Sequence, residues 1–415
     1  MLNVNLNISP PWSSGVAYEI MMALGGSDKT LIVGGAVRDW LSDIPVNDID
    51  FASKLLPEES MKILLKAGYN VKPLGIDHGT ITVFNNNKTY EITSLRKDVV
   101  TDGRHAKVIF KGSWEDDAYR RDFTVNALYS DQYGSIIDPT GLGFKDLESK
   151  TLRFIGSPQK RIKEDYIRIL RYFRFFSKYS KNIDKSSIEA CIKYAKYLNI
   201  ISGERILVEL EKIFLDKSAK NIINILVDNN IMSALYSPSL IESFKLKKVF
   251  LKKIIDSSKT NKNRNSYVFI MYTSFIIAFH KNKKNNFSEI VISVAERFRL
   301  SNNDKDLLNR NIIWITQNEI ISKTFIIKLW LDHGEVFVID LKNILSIIDN
   351  EKVKNLLDIF NNPPPVFPVS GKDLKRLGMS EGKKMGEIIN ITRDWWIKSG
   401  CIAGKNDCLS FVKKL

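Results

Sequence analysis

The sequence predicts an α+β multidomain protein, with an N-terminal α/β head built on a mixed sheet and an all-helical remainder. Over the first ~155 residues, short β-rich runs (LIV at 31–33, TITVF at 80–84, TYEIT at 89–93, KVIF at 107–110) alternate with glycine turns and a few helical stretches. From about Ser157 onward, apolar residues recur at helical spacing, as in 158–178, 185–198 and 203–215, with little strand signal. A length of 415 residues is long for one domain, so about two to four compact units are expected.

Composition narrows the class. Lys and Arg total 62 against 47 Asp and Glu, and the resulting charge of +15 favours an anionic partner, nucleic acid or an acidic membrane surface. Cys191, Cys401 and Cys408 form no C-x-x-C pair, which excludes a disulfide framework or zinc ribbon and fits a reducing cytosol. The N-terminus lacks the basic stretch and apolar run of a signal peptide. The longest apolar run, Tyr267 to Phe279, is too short to span a membrane and reads as a buried helix. Polar runs at 256–266 and 281–287 read as exposed loops, and NNPPPVFP at 361–368 reads as a linker because proline cannot continue a helix.

The first chemical signal is LIVGGAVRDWLSDIPVNDIDFAS at 31–53, read as strand, double-glycine turn, helix and second strand. Residues two apart on a strand share a face, so Asp48 and Asp50 project together while Ile49 points away. Two carboxylates so close repel unless a cation lies between them. Oxygen-only ligands suit Mg²⁺, whereas four histidines and unclustered cysteines offer little to zinc. A lone D-x-D is common on solvated loops, but Gly34 and Gly35 just before it let backbone approach a phosphate, with a helix N-terminus and Arg38 following.

HGTITVFNNNKTYEITSLRKD at 78–98 reads as a hairpin whose second strand alternates Tyr90 and Ile92 against Glu91 and Thr93. Glu91 is thus a candidate third carboxylate, the plain alternative being a cross-strand salt bridge. Two Mg²⁺ ions on three carboxylates would activate an attacking hydroxyl and neutralise a triphosphate. In RRDFTVNAL at 120–128, Arg121 can reach phosphates while Asp122 and Asn126 contact a sugar or hold the arginine; alone, the pair reads as a surface ion pair.

KRIKEDYIRILRYFRFF at 160–176 reads as one helix, with Ile162, Ile169, Leu170, Phe173 and Phe176 on one arc and Asp165, Arg168, Arg171 and Arg174 on the opposite half. Asp165 and Arg168 together offer acceptors and donors that can imitate a base-pairing edge, and Arg171 and Arg174 extend a positive track. Taken alone, such a stripe is more often a salt-bridged surface helix.

GGAVRD with DID, RRDFTVNAL, EDYIRILRYFRF and GERILVELEKI at 203–213 stand in the order of the class II nucleotidyltransferase motifs, and the sequence over 30–215 resembles that family, which contains CCA-adding enzymes and bacterial poly(A) polymerases. The resemblance implies a seahorse-like protein: a catalytic head (1–155), a neck with a nucleotide-selecting helix (156–225), a body (226–360) and a tRNA-binding tail (361–415). It implies template-independent addition of CCA to tRNA from CTP and ATP, with Asp48, Asp50 and Glu91 as catalytic Mg²⁺ ligands. Gly35, Arg38 and Arg121 fall where the family contacts nucleotide. Asp165 and Arg168 fall on its protein template, with Arg171 and Arg174 beside them.

TDGRHA at 101–106 resembles the family's element for switching from C to A, and 367–397 is similar to the tail segment, though it also reads as a small helical cap. The sequence departs from the pattern in carrying Asp43 where glycine is usual and in a DPTGLGFKDL segment at 138–147 that is one residue longer. The rivals are a poly(A) polymerase, a C-only or A-only enzyme, and a catalytically inactive tRNA-binding protein.

Overall fold

The computed structural model describes residues 9–101, 106–110, 112–216, 219–236, 273, 287–316 and 321–415, and the chain divides into two compact units, Met1–Ser237 and Pro238–Leu415. The strands of the first unit are β1 (Thr30–Val33), β2 (Ile49–Ser53), β3 (Asn70–Lys72), β4 (Thr80–Asn85), β5 (Lys88–Ser94), β6 (Arg96–Thr101), β7 (Ala106–Phe110), β8 (Tyr129–Ser130) and β9 (Ile136–Ile137). β6 and β7 pair separately; the others form one sheet in the order β3-β4-β5-β2-β1-β8-β9. Only β2 and β5 run parallel, so the sheet is mixed, as expected.

Burial explains this order. The TLIV of β1 is buried at every position, as suits a strand covered on both faces. β5 buries Tyr90 and Ile92 and exposes Glu91, as its alternation requires. β2 begins at Ile49, so Asp48 stands just before the strand rather than within it.

The helices of this unit are α1 (Gly15–Ala23), α2 (Gly35–Leu41), α3 (Pro57–Lys66), α4 (Trp114–Arg120), α5 (Gly143–Glu148), α6 (Pro158–Glu164), α7 (Arg168–Tyr179), α8 (Lys185–Tyr194), α9 (Gly203–Phe214) and α10 (Ala219–Asp228). The single helix expected over 158–178 is in fact two, because Asp165 adopts an extended backbone (φ −157°) and its carboxylate accepts the Ile167 N–H at 3.3 Å. Apolar spacing could not reveal this, since Ile162 and Ile169 are fully buried on either side of the break. The 185–198 stretch likewise turns from α8 into a 3₁₀ segment at Ala195–Ile200.

Aromatic packing fastens α7 to the sheet unit. Phe123 and Phe154 form an isolated antiparallel bridge with rings 4.9 Å apart, and Tyr172 of α7 stacks on Phe154 at 5.4 Å. Phe175 meets Phe123 edge-on at 5.6 Å. Such pairs contribute about 0.5–1.5 kcal/mol each beyond area burial. They fix α7 directly beside the Arg121–Asp122 segment.

Both departures from the family pattern have local explanations. Asp43 lies in the left-handed region at φ 56°, where glycine is favoured and aspartate tolerated. In the 138–147 loop, the Asp138 carboxylate accepts the N–H groups of Thr140 at 3.2 Å and Phe144 at 3.1 Å, closing the longer turn.

In the second unit the described helices are Phe287–Phe298, Asn302–Thr316, Lys323–His333, Glu335–Ile348, Asn350–Asn355, Leu357–Asn361, Gly371–Arg376, Lys383–Lys398 and Lys405–Val412, with no strand among the described residues. The last three pack around Leu374, Trp396 and Cys408, while 363–367 carries no regular structure. The loop expected at 256–266, the loop expected at 281–287 apart from Phe287, where a helix begins instead, the helix expected over 267–279 apart from Thr273, and residues 102–105 of the expected switching loop lie outside the described residues.

Replacing Asp43 with glycine should raise stability by about 0.5–1 kcal/mol, by relieving the left-handed backbone. Chemical denaturation of the two proteins would measure it, and a loss of stability would contradict the strain.

Candidate active site

A cleft of about 740 Å³ opens beside α2, α4, α7 and α9, within the usual range for a small-molecule site. It is lined by Gly34, Gly35, Arg38, Asp50, Arg121, Asp122, Asn126, Asp165, Arg168, Arg171 and Arg174, so every expected nucleotide contact converges there. Arg120, Glu204, Arg205 and Glu209 line it too, giving seven arginines against five carboxylates.

Asp48 and Glu91 do not line the cleft. They sit beside Asp50: Glu91 of β5 is the parallel register partner of Asp50 in β2, which puts both side chains on one face of the sheet. The Asp50 side chain is exposed to solvent, yet protein packs around enough of its carboxyl to desolvate it. That desolvation, with the charges of Glu91 and Asp48 and despite the pull of Arg121, pushes the Asp50 carboxyl up to about 6.

Among the described residues, no three His, Cys, Asp or Glu side chains are gathered closely enough to enclose a metal ion. The donor chemistry nonetheless fits a hard divalent cation: three carboxylates, no nitrogen or sulfur, and a like-charge repulsion at Asp50 that a cation would relieve.

Gly34 shows why the turn needs glycine. Its φ is +73°, and a Cβ there would meet Arg121 Nη1 at 3.2 Å. Its N–H already bonds the Leu128 carbonyl at 3.0 Å, so what the glycine permits is close approach, not a free donor.

The arginines are held by acids and rings. Arg121 donates to Asp117 from Nε at 3.0 Å and Nη2 at 2.9 Å, while Tyr129 donates to the same carboxylate at 2.6 Å. Thus Arg121 is held by Asp117, not by Asp122 or Asn126. Asp122 instead accepts from Arg171 Nε at 2.8 Å and from Asn126 Nδ2 at 3.0 Å, and Asn126 accepts from Arg38. Both residues act as holders of other arginines. Glu209 of α9 accepts from Arg174 Nε at 2.6 Å and lies 3.7 Å from Arg171. Buried Arg161 of α6 donates to the Arg120 and Arg121 carbonyls, locking that segment in place.

Asp165 and Arg168 are not neighbours on one helix face, because the chain breaks between α6 and α7. Asp165 accepts from Arg205 at 2.5 Å, and Arg168, opening α7, donates to Glu164 at 2.7 Å. Both still face the cleft.

Reasoning from sequence missed Asp117, Arg205 and Glu209. Asp117 and Arg121 are four apart in one segment, a readable helical ion pair; Arg205 and Glu209 are four apart in GERILVELEKI, whose order was recognised without a role.

Burial opposes ionisation of Asp117 and Asp122, but Arg121 and Arg120 beside the first, and Arg171 beside the second, outweigh it and hold each at about 2.

Residues 30–153 match the family model described as the poly A polymerase head domain, and 182–243 match one described as a probable RNA and SrmB-binding site of polymerase A. The chain is 33% identical over 401 residues to the Homo sapiens mitochondrial CCA tRNA nucleotidyltransferase 1, covering 92% of this chain and 86% of that protein. Its fold is similar to that of Bacillus stearothermophilus CCA-adding enzyme in complex with CTP (TM-score 0.72, 22% identity, 98% of each chain). It is also similar to Thermotoga maritima CCA-adding enzyme complexed with tRNA (TM-score 0.66, 20% identity, 96% and 95%).

Two outcomes are expected. Asp117→Ala, which leaves two arginines without their buried partner, should cost about 3–5 kcal/mol in denaturant unfolding, and a cost below about 1 kcal/mol would contradict the anchoring role. The pH dependence has two opposite parts. Asp117 and Asp122 titrate below the unfolded value, so their contribution is full above about pH 4 and is lost as pH falls towards 2. Asp50 titrates above it, so its contribution is full below about pH 4 and is lost as pH rises through about 6. In metal-free buffer, Asp50→Asn should therefore match wild type near pH 4 and exceed it above pH 6, by about 1 kcal/mol after allowing for solvent access. Denaturant midpoints across pH would show the crossover, and identical curves would remove the like-charge strain.

Proposed function

This chain belongs to the CCA tRNA nucleotidyltransferase family, and from that premise we propose how its cleft does the family's work. The protein is a nucleotidyltransferase that adds CCA to tRNA 3′ ends, with tRNA, CTP and ATP as its partners and substrates. The observation that carries this is one cleft in which an acidic edge at Asp50, a wall of arginines and a polar edge at Asp165 and Arg168 adjoin. A triphosphate needs the first two, and a base needs the third.

Arg38 and Arg121 bind the triphosphate, and Gly34 and Gly35 let it lie against the backbone. Asp165 and Arg168 present the pairing edge to cytosine or adenine, with Arg171 and Arg174 flanking them. Because these groups belong to the protein, no nucleic-acid template is required. Asp48, Asp50 and Glu91 would hold Mg²⁺, which lowers the pKa of the tRNA terminal hydroxyl and offsets charge on the triphosphate. The chain's part is to align that hydroxyl with the α-phosphate and to steady the departing pyrophosphate with its arginines.

We assign residues 1–155 to the head, 156–225 to the neck, 226–360 to the body and 361–415 to the tRNA-binding tail. We place the protein in the cytoplasm, whose reducing environment suits its free, buried Cys191, Cys401 and Cys408. A second reading, poly(A) synthesis or addition of C or A alone, is favoured by the match of 30–153 to the poly A polymerase head domain.

The deciding assay offers purified protein tRNA lacking CCA, CA or A, with each triphosphate separately, and sequences the products. Ordered C, C, A addition is expected; poly(A) on unrelated RNA would favour the second reading. Asp48→Ala or Asp50→Asn should reduce incorporation about 10³-fold or more with tRNA binding retained. Undiminished incorporation would leave only a tRNA-binding role for the carboxylates' neighbourhood. Asp165→Ala should blur the choice between C and A, and retained selectivity would remove it from the template.

A further inference from the structure

We propose that Tyr179 is a positioning residue for nucleoside triphosphate binding, fixing the Arg38 guanidinium from the last turn of α7. The proposal rests on the reading of Arg38 as a triphosphate contact and identifies what sets that contact's geometry.

The Tyr179 hydroxyl accepts from Arg38 Nη2 at 2.8 Å and donates to Asp39 Oδ1 at 2.7 Å. Arg38 donates to the same Asp39 oxygen from Nε at 2.9 Å and Nη2 at 2.8 Å, which closes a triangle of three side chains. The Tyr179 ring also lies under the guanidinium, its centroid 4.0 Å from Arg38 Cζ. One turn earlier, Phe175 lies 5.0 Å from Arg38 Cζ and 4.1 Å from Arg174 Cζ. One aromatic pair on α7 therefore carries an arginine from α2 and an arginine from α7 itself. Arg38 Nη1 donates one of its two N–H groups to Asn126, which leaves the other for a ligand.

The consequence is metric. Arg38 belongs to the phosphate side of the cleft, and α7 carries the base-reading side. The Tyr179 hydroxyl hydrogen-bonds Arg38 directly from α7, so it helps to set the distance between the two sides. A triphosphate is common to CTP and ATP, so loosening this tie weakens both equally and leaves base selectivity untouched. A loss of general packing would not respect that pattern.

The test is calorimetric titration of CTP and of ATP into wild type, Tyr179→Phe, Arg38→Ala and the double variant, with melting temperatures for all four. Tyr179→Phe should weaken both triphosphates by the same factor, about tenfold for a lost hydrogen bond to a charged group. The double variant should bind no more weakly than Arg38→Ala alone, because Tyr179 acts through Arg38. Asp39→Asn, which loosens the same triangle from its other corner, should behave as Tyr179→Phe does. Unchanged binding in Tyr179→Phe, unequal effects on CTP and ATP, or factors that multiply in the double variant would overturn the proposal. Wild-type protein that binds neither triphosphate would overturn the reading of the cleft, and this proposal with it, a pattern distinct from failure in the variants alone.

Discussion

The ion pair between Asp122 and Arg171 is the constraint on which the cleft depends. Asp122 follows Arg121 in the sheet-bearing part of the first unit, Arg171 lies on α7, and their side chains meet at 2.6 Å with Asp122 almost fully buried. From that pair the network runs one way through Asn126 to Arg38 and the other through Glu209 to Arg174. A wall of arginines would otherwise repel itself and its side chains would wander. Here each is held by a carboxylate or an aromatic face before any substrate arrives, so little reorganisation is needed on binding. Buried pairs of this kind add little net stability, because desolvation offsets most of the attraction; their effect is to fix geometry.

The cleft is electrically two-sided. At Asp50, desolvation together with the nearby charges of Glu91 and Asp48 raises the carboxyl to about 6, whereas two residues of the arginine wall's support, Asp117 and Asp122, are held at about 2. One kind of carboxylate is strained and faces open space; the other is satisfied and structural. The strained one suits a cation and the satisfied ones suit the holding of arginines, which is how identical side chains take different roles in one site.

Much of this was legible from sequence because strands and short turns obey local rules. The alternation around Glu91 and the double-glycine turn that opens α2 depend on neighbours within a few positions and fold as read, whereas of the D-x-D only Asp50 lies within the strand. What failed was either too local or too distant for periodicity. The break at Asp165 interrupts an otherwise regular pattern, and its one signal is an aspartate placed where a helix could begin anew. Tyr179 and Arg38 are 141 positions apart, and Arg174 and Glu209 are 35 apart, so only the folded chain brings them together. Asp122 and Asn126 do line the cleft, but they serve other arginines than the adjacent Arg121.

The most direct measurement is a crystal structure of the protein with Mg²⁺ and non-hydrolysable CTP, and then ATP. The expected result places the base edge against Asp165 and Arg168, the triphosphate against Arg38 and Arg121, and metal ions at Asp48, Asp50 and Glu91. Nucleotide bound outside the cleft, or metal held away from those carboxylates, would contradict it.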